Sequence, residues 1–498
     1  MTTEPFSAEQ LYGFIEKQVA LGARRPGSDA GHASERMLEG MLRGFGLESV
    51  RSEPIPITRW EAGESRLEVA SPGGAFQPVD SYPIPYVAFT GPQGVEGPLV
   101  FADRRTLFHR GARRAWRGAV VVTEIGFPPL PLGLLLRLAR GLYDPHGTAG
   151  QVSHPATWVR LGWHLYGEAV RAGAKGFIGV LSDQPGGSAR MYAPYGFKEK
   201  DIMEKPLPAF WVGREAGSSL VGLARSGGAR ARLLLRGVRE PGVTHNIVGE
   251  IPPREPSPGG KGAEEVMVLS CHHDSPFASP VEDASGVAVV LGLARRLAKE
   301  PLAKRRLYVV LTAGHFYGSI GTRTFIREHP EVVGRTAVEV TIEHIGKEAV
   351  EDTSGRLAPT GLPEATGIFV PFSDAVRDIV LEAVRRHDLH RSVLLPAEGP
   401  LGPYPPTDGG DWWEAGVPLV NHISNPVYLL TEDDALEWVD KERLPVVAAT
   451  FEEVLRRLDV LPRETIAARD AKASFLLMRL LRHLVHAKTT KLGRHPVY

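Results

Sequence analysis

From His245 onward the sequence alternates short apolar runs with amphipathic stretches, and that alternation narrows the fold more than any other feature of the chain. "NIVGEI", "EVMVLSC", "RRLYVVLTAG", "TAVEVTIEHIG" and "VPLVNHI" read as strands. "GVAVVLGLARRLAKE", "SDAVRDIVLEAVRRHD" and "RLPVVAATFEEVLRRLD" read as helices, and "GSIGTRTFIREHP" as a helix start. Nearly continuous apolar strands separated by amphipathic helices imply an α/β fold, a mostly parallel sheet sandwiched by helices. In such sheets the working residues sit in loops beyond the carboxyl ends of the strands.

The remainder of the chain has a different texture. At 498 residues the length exceeds what one hydrophobic core usually organises. Residues 1–65 read as a helical part of the main domain. "SAEQLYGFIEKQVALG" opens on Ser7 with Gln10 three positions on, a capping-box pattern, and "SERMLEGMLRGFG" closes on a glycine. Residues 66–236 break into β-like runs around one helical stretch, "RLGWHLYGEAVRAGA", and read as an inserted, mostly β module. Residues 237–462 form the α/β unit. Residues 463–498 carry a basic amphipathic stretch, "ASFLLMRLLRHLVHAKTTK", suited to packing or to contact between copies of the chain.

Charge and cysteine content exclude whole classes of function. Lys+Arg and Asp+Glu balance at 58 each, which gives no reason to expect a nucleic-acid partner. The single cysteine, Cys271, excludes an intramolecular disulfide and a cysteine zinc cluster; inside its apolar run it reads as a core thiol. The most apolar stretch, Phe127 to Tyr143, is broken by prolines and arginines and falls short of the roughly 18–20 residues of a membrane span. "MTTEPFSAEQLYGF" lacks a basic stretch followed by an apolar run, so the expectation is a cytoplasmic protein without a membrane partner.

Chemistry concentrates where the strands end. "LSCHHDS", "TAGHFYGSIG", "TIEHIGKE" and "TDGGDWWEAGVP" leave strands of the sheet, and "SPVEDASG" follows the first of them. Imidazoles and carboxylates converging from separate strand ends build metal sites. Alternation along a strand puts His272 and Asp274 on one face and His273 on the other, and lets only one of Glu343 and His344 face the site. The expected ligands are His272, Glu282 and Glu343, with Asp274 orienting His272 through its far ring nitrogen. His273 and His344 are expected to pack elsewhere, and His422 in "VNHISNP" to be a satisfied core histidine. Tyr404, Trp412 and Trp413 supply either an aromatic wall for substrate or packing.

"LSCHHDSPFASPVEDASGVAVVLGLARRL" resembles the first metal motif of the co-catalytic zinc aminopeptidases, whose superfamily also holds glutamate carboxypeptidase, transferrin receptor and glutaminyl cyclase. "THNIVGEIP", "SDAVRDIVLEAV", "TDGGDWWEAGVPLV" and "TEDDALEWVD" resemble further segments of that family, in order, and residues 66–236 fall where many members insert a protease-associated domain. The resemblance places His272 on the family's metal histidine, Glu282 on its bridging aspartate and Glu343 on the aspartate completing the first metal's set. Asp408 falls on the aspartate before the "AGVP" turn, a place suited to contact with substrate.

Other positions depart from the family. His315 and Phe316 stand where it has a Glu-Glu pair, general base and second-metal ligand, and Leu430 stands where it has the last metal histidine. Both ligands unique to the second metal are therefore gone, while the first metal's positions keep ligand-capable groups. Two of those have lengthened from Asp to Glu, each by roughly 1.3–1.5 Å of reach. The resemblance thus implies a remodelled site for one divalent cation, Zn²⁺ in first place and Fe²⁺ or Mn²⁺ by ligand type. His315 is either a fourth ligand or the proton-transfer group. The implied activity is metal-dependent hydrolysis of an amide bond in a peptide or small molecule. Phe316 and Leu430 leave open a silent relative serving as a binding or scaffold protein, and the one-metal pattern leaves open an acyl-transfer or cyclising enzyme.

Overall fold

The computed structural model describes residues 5–103, 112–157, 160–193, 205–255, 264–399 and 402–470. The basic stretch from residue 471 onward, and any self-association through it, lies outside the described residues.

The sheet grows from the strand-like runs of the sequence. Its main strands are β1 (Glu48–Ala70), β2 (Arg230–Ile251), β3 (Val266–His272), β4 (Arg306–Thr312), β5 (Thr336–Ile342), β6 (Thr366–Val370), β7 (Ser392–Pro396) and β8 (Leu419–Ser424). Their spatial order is β2-β4-β3-β5-β8-β6-β7. β4, β3, β5 and β8 run parallel to one another, as do β6 and β7, while β2 and β6 meet β4 and β8 antiparallel. Every residue of β3, β4 and β5 is buried, which is why these strands read as unbroken apolar runs.

Helices cover the sheet: α1 (Ala8–Val19), α2 (Asp29–Phe45), α3 (Gly286–Lys299), α4 (Asp374–Arg386) and α5 (Arg443–Asp459). Ser7 caps α1, its Oγ accepting from the Gln10 amide at 3.3 Å, as the capping pattern requires. α3 is the central helix. It packs against α1, α2, α5 and β3 and buries Val287, Val290, Leu291, Leu293 and Leu297 completely.

The inserted unit departs from its expected description in two ways. β1 and β2 form one long antiparallel ribbon, from the Glu48–Glu250 pair to the Ala70–Arg230 pair. The expected boundaries at residues 65/66 and 236/237 thus fall inside continuous strands. Beyond the ribbon the unit is itself α/β. Val95–Phe101, Val120–Ile125, Gly176–Leu181 and Ala209–Val212 run parallel in that order, with helices His164–Ala172 and Arg214–Ser226 beside them. The second helix escaped the sequence reading because its apolar face (Leu220, Val221, with Gly217 against Val180) is narrow and glycine-bearing.

Candidate metal centre

The carboxyl ends of β3, β4, β5 and β8 meet at one cleft, and the hydrogen bonds there fix which nitrogen of each histidine is available. His272, the last residue of β3, has Nδ1 3.0 Å from the carbonyl oxygen of Asp274. A carbonyl only accepts, so Nδ1 carries a proton, which leaves Nε2 as the ring atom that a cation can take in place of its own proton. His344 is built the same way, with Nδ1 2.8 Å from the Ser424 carbonyl. Both Nε2 atoms are buried, and both face Glu282. His272 Nε2 lies 3.2 Å from one carboxylate oxygen and His344 Nε2 2.8 Å from the other. The three ligand atoms lie within 4.8 Å of one another. Two imidazole lone pairs and one carboxylate, oriented from behind by main-chain carbonyls, are a donor set that suits a divalent transition cation.

His344 corrects the expectation that it packs elsewhere. β5 ends at Ile342, and His344 has a φ of 54°. The left-handed turn breaks the alternation on which that expectation rested, so Glu343 and His344 both line the cleft. Glu343 belongs to neither cation-ready cluster formed around His272. Its Oε1 accepts from the Asp408 amide at 3.2 Å and Asn421 Nδ2 at 3.4 Å.

A second arrangement shares His272. His315 Nδ1 lies 2.5 Å from Asp408 Oδ1, and the His315 ring stacks on His272 with centroids 4.3 Å apart. Asp408 therefore serves to orient His315. The Asp274 carboxylate lies beside the far ring nitrogen of His272, as expected, with Oδ1 3.7 Å from Nδ1, but the hydrogen bond there goes elsewhere. It is the Asp274 main chain that holds His272, while its Oδ1 accepts from the His315 amide at 3.0 Å.

The electrostatics are those of a cation well. Burial opposes charge on His272, but Asp408, Asp274, Glu282 and Asp283 outweigh it and hold the imidazole well above its usual range. Burial likewise opposes charge on His344, yet Glu282, Asp283 and Glu343 push it up to about 10. Against burial, His344 and His272 hold Glu282 well below the usual carboxylate range. Burial, then Asp408 and Asp283, raises Glu343 well above that range. So much carboxylate in a closed space calls for positive charge, which protons on the imidazoles supply when nothing else does.

The loop carrying Glu282 is fixed by residues the sequence reading did not single out. Asp434 accepts from the Val281 and Glu282 amides at 3.1 and 2.9 Å. Asp283 Oδ1 accepts from the His344 amide at 3.0 Å and the Gly286 amide at 3.2 Å. Asp434 was legible only as part of "TEDDALEWVD"; its target lies some 150 positions away in the chain. Gly286 allows the close approach of α3, since a Cβ there would sit 2.3 Å from the Ile342 carbonyl oxygen. Gly286→Ala is expected to cost about 1–3 kcal/mol of stability, read as a lower urea midpoint.

The remaining expectations divide. Phe316 is buried edge-on to His272 and His315, and Leu430 lines the cleft, so neither offers a ligand atom. His422 is buried, with Nδ1 3.0 Å from the Glu343 carbonyl and its ring against Phe451; burial and Arg443 push it down to about 3. His273 donates from Nε2 to the His245 carbonyl, away from the cluster. Cys271 is a buried thiol pushed well up by burial, then by Asp283. Trp412 is corrected: it is wholly buried on the other side of the sheet against Phe325 and cannot touch a ligand in the cleft. Tyr404 borders a separate small recess with Leu135 and Phe369, and Trp413 packs on Phe372.

The cleft encloses about 120 Å³. Glu282, His315, Glu343 and His344 form its polar end. Leu130, Leu132 and Val152 of the inserted unit supply apolar lining, and His154 of the same unit lines the cleft as well. His154 in turn sits 3.3 Å from Glu364, another lining residue.

Known proteins resemble part of this sequence and the whole of this fold. Residues 246–380 match peptidase family M28. No curated protein matches the sequence. Among solved structures, a zinc aminopeptidase from Bacillus subtilis is 17% identical with a TM-score of 0.64, over 93% of this chain and 98% of that one. A peptidase M28 precursor from Shewanella amazonensis is 18% identical with a TM-score of 0.66, over 91% and 93%. An aminopeptidase from Aneurinibacillus sp. strain AM-1 is 18% identical with a TM-score of 0.59, over 91% and 94%. At these identities the likeness is one of fold, along nearly the whole length of each chain. Residues 246–380 are thus similar to peptidase family M28, and the chain as a whole shares the fold of these aminopeptidases.

Proposed function

We infer that this protein is a metal-dependent hydrolase of amide bonds, aminopeptidase-like, working with one divalent cation, Zn²⁺ for preference. The observation that carries the reading is the pair of buried Nε2 atoms of His272 and His344, on rings held through Nδ1 by main-chain carbonyls, on either side of the Glu282 carboxylate. The M28 domain and the zinc aminopeptidase and aminopeptidase folds support it.

His272, Glu282 and His344 would hold the ion. A bound Zn²⁺ supplies Lewis acidity toward a carbonyl and makes water a stronger acid. The protein's own part is to position and to move protons. Asp408 keeps the His315 Nδ1 proton in place, so the opposite ring nitrogen is the basic one, in the position that the family resemblance gives to the general base. Burial raises the Asp408 carboxyl, but His315 and His272 more than offset it and keep Asp408 ionised. The apolar wall from the inserted unit, which the resemblance likens to a protease-associated domain, would exclude water and receive an apolar group of a peptide or small amide.

Phe316 and Leu430 favour a second reading, a silent relative that binds without turning over. Elemental analysis of the purified protein, together with hydrolysis of a panel of aminoacyl amides, decides between them. The expected outcome is chelator-sensitive hydrolysis and a zinc equivalent that His272→Ala loses. Metal content unaffected by His272→Ala, with no hydrolysis across the panel, would leave the silent reading standing.

A further inference from the structure

A second group of nitrogen and oxygen ligands lies apart from the catalytic cleft, between α2 and β2. His32 and Glu35 stand three apart on α2, and His245 faces them from β2. Residues three apart share one helical face. His32 Nδ1 and His245 Nδ1 each lie 2.8 Å from the same oxygen, Glu35 Oε2. The three ligand atoms fall within 4.8 Å of one another. The other carboxylate oxygen, Oε1, is held by the Thr244 hydroxyl at 2.7 Å and the His245 amide at 2.9 Å. The Glu35 side chain is only 4% exposed and so is fixed, whereas His32 and His245 are 28% and 25% exposed.

This is a built arrangement. The carboxylate is buried and oriented from behind by two donors that leave Oε2 for the imidazoles. Both rings turn the same nitrogen toward it, and their partial exposure leaves a route in and room for water as a fourth ligand. Two imidazole nitrogens and a carboxylate oxygen favour a borderline cation such as Zn²⁺ over Ca²⁺ or Mg²⁺, which take oxygen ligands.

The geometry points to a second, peripheral zinc site formed by His32, Glu35 and His245, which cross-links helix α2 to strand β2. An ion at this place displaces the two Nδ1 protons and joins elements that are distant in sequence. The site is also tied to the strand that ends in the catalytic cleft. His273, the chain neighbour of His272, donates from Nε2 to the His245 carbonyl at 2.9 Å.

The test is zinc stoichiometry on the full chain. Wild type, His32→Asn, His245→Asn and His272→Ala are saturated with ZnCl₂, passed through gel filtration and measured for zinc per chain. Thermal midpoints are taken with and without zinc. Asparagine keeps a donor near the Nδ1 position, so the bond to Glu35 survives while the imidazole ligand is lost. The expected result is that His32→Asn and His245→Asn each lose one zinc equivalent relative to wild type. They also lose the zinc-induced rise in midpoint and retain the zinc-free midpoint. His272→Ala loses a different equivalent, so the peripheral site stands or falls independently of the catalytic reading. Equal zinc content in wild type and both asparagine variants would overturn the proposal. So would a loss of zinc accompanied by an equal drop in the zinc-free midpoint.

Discussion

Under the proposed function, His344→Ala is expected to empty the cleft of its cation and to lower hydrolysis by more than about 100-fold, because removing even an outer partner of a ligand commonly costs 10–100-fold. The argument is geometric. His344 Nε2 is buried and 2.8 Å from Glu282, with the ring held through Nδ1 by the Ser424 carbonyl. Glu343→Gln makes the contrasting case. Its Oε1 already accepts from the Asp408 amide and Asn421, and an amide oxygen of the same shape accepts from the same donors. That variant is expected to retain its zinc. Zinc content of the two purified variants, with steady-state rates beside it, separates the roles. Metal lost from Glu343→Gln and kept by His344→Ala would restore the ligand set that strand alternation suggests and discard the one drawn from the structure.

Arg24→Met is expected to be the most damaging substitution for stability, at about 3–5 kcal/mol. Arg24 is 1% exposed and lies beneath the loop that carries Glu282. Its guanidinium donates to the carbonyls of Ala278 at 2.8 Å, Gln18 at 3.3 Å and Ser279 at 3.4 Å. Burial pulls its pKa down to about 10 against the pull of Asp434, Asp274 and Asp283, so it stays charged at neutral pH. Methionine fills most of the volume, but leaves buried carbonyls without donors and three carboxylates without their cation. Urea unfolding followed by circular dichroism measures the loss; a midpoint within experimental scatter of wild type would show that the guanidinium is dispensable to the loop. The loop positions Glu282, so zinc affinity is expected to fall with stability.

Periodicity carried much of the architecture. The helix drawn over "RLPVVAATFEEVLRRLD" coincides with Arg443–Asp459, and the apolar runs of β3, β4 and β5 are buried on both faces as expected. The strands Thr366–Val370 and Ser392–Pro396 were not legible. Each has five residues, one containing Gly367 and the other running from Ser392 to Pro396, and each is strand-like because it pairs with its partner and with β8 or Gly141–Tyr143. The ligand-bearing segments were legible because His272 and Glu282 sit close together in a window rich in imidazole and carboxylate. His344 was misplaced because period-2 alternation was carried two residues past the end of β5, into a left-handed turn.

Local sequence thus determined the α/β class, the segments that bear the chemistry and the absence of ligand atoms at Phe316 and Leu430, since each depends on residue type and short-range pattern. Tertiary structure alone decided which nitrogen of each histidine faces the cluster, that Asp408 serves His315, and that His245 meets the Glu35 carboxylate from more than 200 residues away. Hydrogen bonds to main-chain carbonyls and the approach of distant elements settle those choices, and neither is encoded in the spacing of neighbouring residues.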